Sequence, residues 1–237
     1  MDLEPDNELL CGRMLGMFSP IGASPLQRYL KDFPDIPGFF QFESMVIWDF
    51  LLTAQERLGV KGNLLEIGVY KGKSAVLAAL YMRPEEWCVF VDISPMPESE
   101  AAIRKFRPAN NLFLQCRSGD LMSHRELREA AGTFRWCHVD ADHTGYSTMH
   151  DMEVAAYLLR ESGIICIDEF FNFRYPQLTA AVYQFLAARP FDFKMLFCGA
   201  NKCYQELSEF SSSPPLGRRR AAWAWCRSGA CGSASVA

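Results

Sequence analysis

The sequence lacks several features that would assign it quickly to a class of protein. Its nine cysteines include no Cys-x-x-Cys pair, which argues against a zinc site and against structural disulfides. No uninterrupted apolar run approaches the roughly 18 residues that a membrane-spanning helix needs. The net charge of -4 argues against a generally basic nucleic-acid surface. The start, MDLEPDNELL, lacks the basic and apolar regions of a secretory signal. We therefore expect a cytoplasmic protein without membrane or nucleic-acid partners.

What is present is the composition of a soluble globular protein. Of the 237 residues, 49% are hydrophobic and 22% are charged, which is typical of a folded domain. That length suits one α/β domain with additions. Cys88, Cys116, Cys137, Cys166 and Cys198 lie in apolar, strand-like runs, a pattern that indicates buried reduced thiols. We expect a small-molecule substrate, and the sequence leaves open whether chains associate into a homo-oligomer.

From Asn63 onward, short β-rich runs alternate with segments of helical period. This alternation predicts an α/β fold with a doubly wound, mostly parallel sheet. The predicted strands are NLLEIG, WCVFVD, NLFLQC, FRWCHVD and GIICIDE. The predicted intervening helices cover residues 74–82, 98–106, 121–131 and 148–161. For the last helix, Thr148 and Asp151 are predicted to form a capping box, and Gly163 is predicted to end it.

The two ends of the chain are predicted to differ from its centre. After a helix at 175–189, FDFKMLFCGANKCYQEL reads as two strands joined by a tight connection, which permits only an antiparallel hairpin. Residues 1–41 form an N-terminal arm whose second half is broken by prolines. That arm is either a lid over a site or a segment packed on the first helix. Residues 42–210 form the main domain, and the Ser/Ala/Gly/Arg-rich tail at 211–237 is expected to be disordered.

The stretch EIGVYKGKS resembles a phosphate-binding loop without matching one. A Walker loop needs four residues between its first glycine and Gly-Lys-Ser, but Gly68 and Gly72 enclose only three. Ile67 stands where that motif requires glycine. The acidic strand IICIDE keeps a P-loop-like ATPase open as an alternative. The dinucleotide fingerprint fails as well, because no second glycine follows at the required spacing.

An E-x-G-x-x-x-G loop with a later acid remains. Glu66, Gly68 and Gly72 are followed by Asp92 at the end of the next predicted strand. An acid about 20 residues beyond such a loop is well placed to accept hydrogen bonds from a ribose diol. The pattern therefore predicts a ligand that contains ribose and does not require a phosphate-binding loop.

Together these motifs resemble the class I S-adenosylmethionine-dependent methyltransferases. EIGVYKG matches the family's nucleotide loop, Asp92 matches its ribose acid, and Asp120 in CRSGD matches its adenine-side acid. The likeness covers residues 42–207 and implies a seven-stranded Rossmann-like sheet that closes with an antiparallel hairpin. It implies S-adenosylmethionine as the cofactor. The cofactor-binding residues it implies are Glu66, Gly68, Tyr70, Gly72, Ser74, Asp92, Ile93, Gly119, Asp120 and Asp140.

A narrower likeness lies in HVDADHTGYSTMHDMEVAAYLLRESGIICIDEF. It is similar to the branch that contains macrocin O-methyltransferase-like and cephalosporin-hydroxylase-like enzymes. The resemblance implies that Asp140, Asp168 and Glu169 bind Mg²⁺. The chain departs from that branch in having Ala141 for its usual Gly and Glu169 for its second Asp.

The resemblance implies Mg²⁺-assisted O-methylation of a small-molecule hydroxyl, on a sugar or another natural-product intermediate. Asp140 and His143 take the catalytic roles, with His143 as the assisting base. In an alternative interpretation, His143 has no catalytic role and is a structural residue that forms hydrogen bonds. A module that binds S-adenosylmethionine without catalysis is a further alternative.

Overall fold

Seven strands form one sheet in residues 24–208, the part of the chain that the computed structural model describes. The strands are β1 (Asn63–Ile67), β2 (Cys88–Asp92), β3 (Asn111–Gln115), β4 (Phe134–Val139), β5 (Leu159–Ile167), β6 (Phe193–Gly199) and β7 (Lys202–Leu207). Their order is β3-β2-β1-β4-β5-β7-β6, with β1 to β5 parallel and β7 antiparallel to both of its neighbours. The predicted fold class, including the closing hairpin, is confirmed. The first 23 residues of the predicted arm and the predicted tail at 211–237 lie outside the described residues.

Seven α-helices connect and precede these strands in the described region. They are α1 (Pro25–Asp32), α2 (Phe42–Arg57), α3 (Lys73–Leu80), α4 (Pro97–Phe106), α5 (Arg125–Glu129), α6 (Gly145–Leu158) and α7 (Pro176–Ala188). Short 3₁₀ turns occupy Phe33–Asp35 and Ser118–Ser123. Within residues 24–208, no helix is both long enough and apolar enough to cross a bilayer.

The helix predicted at 148–161 starts and ends earlier than its sequence suggested. Its N-cap is Thr144, whose hydroxyl accepts from the backbone N of Ser147 at 3.3 Å. Thr148, the predicted cap, is buried inside the helix. The chain leaves α6 at Leu158 and passes directly into β5, so Gly163 lies in a strand rather than at a helix end.

The helix predicted at 121–131 is replaced by a 3₁₀ turn and the five-residue helix α5. Side chains satisfy the backbone carbonyls that a longer helix would have used. The Ser123 hydroxyl donates to the carbonyl of Asp120 at 2.6 Å, and the Arg128 guanidinium donates to the carbonyls of Met122 and Ser123. Such local bonds compete with helical ones.

The sheet separates two apolar layers. In β1, Leu64 belongs to one cluster and the adjacent Leu65 to the other, as the two-residue period of a strand requires. Helices α1 to α4 cover the first face, where the rings of Trp48 and Trp136 meet edge to face at 5.0 Å. Helices α5 to α7 cover the second. Cys88, Cys137 and Cys166 are buried free thiols, as expected, whereas Cys116 and Cys198 are free but only partly buried.

A buried ion pair between Arg135 and Glu86, which the sequence did not reveal, connects several segments of the first apolar layer. Arg135 in β4 donates to both carboxylate oxygens of Glu86, each at 3.0 Å. It also donates to the Gln55 side chain of α2 and to the carbonyl of Tyr81 after α3. Burial would raise the pKa of Glu86, but the bonds and charge of Arg135 outweigh it and lower that pKa. Four of the five N–H donors of the guanidinium therefore hold these segments together.

Replacing Glu86 by Gln should therefore destabilise the fold. Both partners are almost fully buried, at 1% and 2% exposure, and removing one partner of such a pair costs about 3–5 kcal/mol of unfolding free energy. Urea denaturation would measure the loss. The control is Glu129→Gln, which breaks the exposed pair with Arg125 and should cost less than about 1 kcal/mol. Equal losses in the two variants would contradict the structural role of the buried pair.

Candidate active site

Polar residues follow neighbouring strands at the carboxyl edge of the sheet. Asp92 ends β2, Gly68 follows β1, Asp140 follows β4 and Asp168 follows β5. Lys202 opens β7, which runs antiparallel to β5 and so begins where β5 ends. Because β1, β4 and β5 lie side by side, these groups collect at one crevice, the usual ligand position in open α/β sheets.

The glycine loop between β1 and α3 is shaped by packing against its neighbours. Gly68 and Gly72 have φ of +88° and +85°, values that favour glycine. A Cβ on Gly68 would lie 2.0 Å from the carbonyl oxygen of Asp140, and one on Gly72 would lie 2.8 Å from the Cβ of Ser99. The glycines are therefore required because β4 and α4 approach the loop so closely.

Asp92 holds this loop from the adjacent strand. Its Oδ2 accepts from the backbone N of Val69 at 3.0 Å and of Tyr70 at 2.9 Å, and its Oδ1 accepts from Ser94 N at 2.9 Å. A carboxylate offers about four acceptor positions, so one is left for a ligand hydroxyl. The predicted ribose acid is thus also the residue that organises the loop.

A cavity of about 330 Å³ lies between the loop and the acids, a volume within the range of small-molecule pockets. It is lined by residues 68–74 of the glycine loop, by residues 38–41 of the arm, and by Asp140, His143, Asp168, Glu169 and Lys202.

The described part of the arm both packs on α3 and lines this cavity. The buried Tyr29 of α1 donates its hydroxyl to the carbonyl of Lys73 at 2.8 Å. Farther along, the ring of Phe39 stacks on that of Tyr70 at 6.0 Å with an interplanar angle of 4°. The two interpretations of the arm are therefore not exclusive.

The predicted cofactor-binding residues divide into three groups, of which the third is Glu66 alone. Gly68, Tyr70, Gly72, Ser74 and Asp140 line the cavity. Four others lie along the same edge, toward β3 and outside the cavity: Asp92, the exposed Ile93, and Gly119 and Asp120 in the 3₁₀ turn after β3.

Glu66 does not reach the cavity, contrary to its predicted contact with the cofactor. It is 1% exposed because its position in β1 faces the first apolar layer. Its Oε1 accepts from the Ser74 hydroxyl and lies 3.3 Å from Nδ1 of His138. Glu66 therefore acts on the site indirectly, through its contacts with Ser74 and His138.

His138 was missed by sequence reasoning and is central to the site. It is 1% exposed, with Nε2 3.8 Å from Oδ2 of Asp168 and its ring edge to face with Trp48 at 4.7 Å. Burial lowers the pKa of this imidazole, but the nearby carboxylates of Asp168 and Glu66 outweigh that effect and raise the pKa to about 9. Its register opposite Glu66 in the adjacent strand is the signal that could have revealed the pair.

Lys202 was also missed. Its side chain is 3% exposed, and its Nζ donates to Oδ2 of Asp168. Burial lowers the pKa of Lys202, but the charge of Asp168 outweighs it and raises that pKa. Burial raises the pKa of Asp168, yet the nearby imidazole of His138 and the charge of Lys202 bring it well below its usual range. Asp140 behaves oppositely: burial and the charge of Asp168 raise its pKa.

The predicted magnesium ligands are only partly assembled. Asp140 and Asp168 come together with His138, with ligand atoms within 4.8 Å of one another. Glu169 does not join them. Its Oε2 accepts from the amide groups of Asn172 and Asn201. Mg²⁺ prefers an octahedron of oxygen ligands, so two carboxylates that share a histidine and a buried ammonium fit it poorly.

His143 lines the cavity, which is the position that a base would need. Its ring centroid is 4.5 Å from that of Tyr175. The neighbouring Asp142 accepts from the hydroxyl of Ser147 at 2.9 Å and from Thr144 N at 3.2 Å, so it serves the start of α6.

Comparison with known proteins supports the resemblance. Residues 65–170 match the model of a family described as a methyltransferase domain. Two probable caffeoyl-CoA O-methyltransferases of Dictyostelium discoideum are each 33% identical over 109 residues, which is 44% of this chain and 46% of either relative. The match thus spans about half the length of these curated relatives.

Solved structures show the same fold. CalS11, a TDP-rhamnose 3'-O-methyltransferase of calicheamicin biosynthesis, has a TM-score of 0.57 at 18% identity, over 87% of this chain and 96% of its own. MycE, a methyltransferase of the mycinamycin pathway solved with Mg, SAH and mycinamycin VI, has a TM-score of 0.58 at 14% identity, over 80% and 57%. These comparisons confirm the predicted resemblance to class I S-adenosylmethionine-dependent methyltransferases.

The raised pKa of His138 predicts that stability falls with increasing pH. The folded state keeps a proton that the unfolded chain releases near pH 6.5, so this contribution is complete below pH 6.5 and is lost as the pH rises through about 9. The raised pKa of Asp140 acts in the same direction. Unfolding free energy should decrease by up to about 3 kcal/mol for His138. Urea denaturation from pH 6 to 9 would measure it, with His138→Gln for comparison. An equally steep decrease in that variant would assign the effect to other groups.

Proposed function

We propose that this chain is an S-adenosylmethionine-dependent O-methyltransferase that acts on a hydroxyl group of a small molecule. The observation that carries the proposal is that a region suited to the cofactor and a region suited to the acceptor lie side by side in one crevice. A glycine loop organised by Asp92 provides the cofactor half, and the cavity that opens beside it presents Asp140 and His143 to an acceptor. The match of residues 65–170 to a methyltransferase domain supports the same conclusion.

The cofactor half suits a nucleoside with a charged amino-acid tail. The remaining acceptor position of Asp92 takes one ribose hydroxyl, and Gly119 and Asp120 stand on the adenine side. The first turn of α3 has no side-chain cap at Gly72, so its backbone N–H groups remain for the cofactor carboxylate. Likeness to MycE, which was solved with SAH, supports this choice of ligand.

Methyl transfer needs little covalent chemistry from the protein. The acceptor oxygen attacks the methyl carbon in line, the carbon–sulfur bond breaks with its electron pair left on sulfur, and a carbon–oxygen bond forms. The hydroxyl proton passes to Asp140 or His143. The raised pKa of Asp140 suits a group that must accept a proton near neutral pH. Bound Mg²⁺ would polarise the acceptor hydroxyl, but the donor set fits it poorly and no step here depends on it.

The acceptor is a hydroxyl of a sugar or another natural-product intermediate. The acceptor wall is polar, with Asp140, His143 and Lys202, and polar groups at these positions suit a hydroxyl-rich molecule. Likeness to CalS11, named as a TDP-rhamnose 3'-O-methyltransferase, supports a sugar.

Asp92→Ala should weaken binding of S-adenosylmethionine. Loss of hydrogen bonds to a charged group costs about 1.5–3 kcal/mol, or roughly 10- to 150-fold in Kd, and the loop also loses its anchor. Isothermal titration would measure this, with Glu126→Ala, an exposed helical acid, as the control. Titration with ATP tests the P-loop alternative. Binding of ATP in place of S-adenosylmethionine would overturn the proposal.

Replacing the proton acceptors should slow transfer without comparable loss of cofactor affinity. General-base assistance contributes about 10²- to 10⁴-fold in rate, so either Asp140→Asn or His143→Ala should lower kcat by that amount. Release of S-adenosylhomocysteine, measured against a panel of sugars and phenols, reports turnover. A residue whose replacement leaves kcat unchanged is not the base. If the wild type binds S-adenosylmethionine yet turns over no acceptor, the chain is a binding module.

A further inference from the structure

We propose that the ammonium group of Lys202 takes the place of a divalent cation at the acidic end of the cavity, so that transfer requires no metal ion. This inference rests on the proposed methyltransferase function and concerns the acceptor half of that site. It starts from the mismatch between the predicted magnesium ligands and the contacts that these residues make.

The hairpin fixes Lys202 in this position. Ala200 and Asn201 form the turn, with φ of +50° and +59°, and Lys202 opens β7 beside the end of β5. The turn also engages Glu169, because the Asn201 side-chain amide donates to its Oε2 at 2.9 Å. One tight connection therefore delivers a cation to Asp168 and engages the third predicted metal ligand.

Charge and burial favour this arrangement over a metal. Lys202 is 3% exposed and pairs with Asp168, while His138 lies between Asp168 and Glu66. A divalent ion at the Asp168 oxygens would stand beside the buried ammonium group of Lys202. It could enter only by displacing the ammonium from its partner, and an unpaired buried charge is costly.

An ammonium at this place can do part of what a metal would do. Lys202 and Asp140 both line the cavity, so an acceptor hydroxyl between them meets a cation on one side and a carboxylate on the other. The cation favours the anionic form of the hydroxyl, and the proton passes to Asp140 as the oxygen takes the methyl group from sulfur. Lys202 keeps its own protons throughout.

Manganese binding followed by electron paramagnetic resonance tests the proposal without an acceptor. The probe is Mn²⁺, titrated into protein that holds S-adenosylhomocysteine. The wild type should bind no stoichiometric Mn²⁺. Lys202→Ala exposes the carboxylates of Asp168 and Asp140 and should bind one ion per chain. Adding Asp168→Asn to that variant should weaken the binding at least about 10- to 100-fold, since loss of a residue that only orients a ligand already costs that much. The matched control is Lys194→Ala, on the same hairpin but more than half exposed, which should behave as wild type.

Each outcome decides a separate point. One Mn²⁺ bound by the wild type and lost in Asp168→Asn would overturn the proposal, as would failure of Lys202→Ala to gain a site. Lys202→Gln, which keeps a donor for Asp168, replaces the alanine variant if that variant does not fold. Failure of the wild type to bind S-adenosylhomocysteine would instead count against the methyltransferase function. Once an acceptor is found, wild-type turnover should be unchanged by a chelator, whereas Lys202→Ala should lose turnover and regain part of it with Mg²⁺.

Discussion

The parallel register of β1, β4 and β5 is the constraint on which the site depends. It sets Glu66 opposite His138, and His138 opposite Cys166, so that the carboxyl edge begins at the same level in all three strands. A shift of one residue would turn Glu66 and His138 into the other layer. The alternation of Leu64 and Leu65 between the two apolar clusters prevents such a shift. Burial of ordinary leucines thereby fixes the place of the charged groups.

Those charged groups form a continuous buried row. Ser74 donates to Glu66, Glu66 approaches His138, His138 approaches Asp168, and Asp168 accepts from Lys202. Negative and positive members alternate, so each buried charge has an opposite neighbour, which is the condition under which burial is tolerated. The row runs from the glycine loop to the acceptor wall. It joins the half of the site that would hold the cofactor to the half that would hold the acceptor.

The sequence allowed the fold and the position of the glycine loop at the carboxyl edge to be predicted because both rest on local patterns. Strand alternation, the spacing of Gly68 and Gly72, and Asp92 at a strand end are all readable within short segments. Helix ends were less accessible: Thr144 and Thr148 both offer a capping hydroxyl, and only the path of the chain into β5 decides between them. Arg135 and Glu86 could not be paired, because 49 residues separate them and each resembles a surface charge when read alone.

The acceptor half shows why matching motif positions does not establish a metal site. Asp140 and Asp168 stand where the resemblance implies magnesium ligands, and the structure brings them together. Yet the charge at that place depends equally on Lys202, which comes from the closing hairpin and lies outside both acidic motifs. A carboxylate paired with a buried ammonium is chemically different from one that is open to a metal. The ligand preference of such a site therefore depends on all the charges that the fold brings together there, including the cations that the acidic motifs do not show.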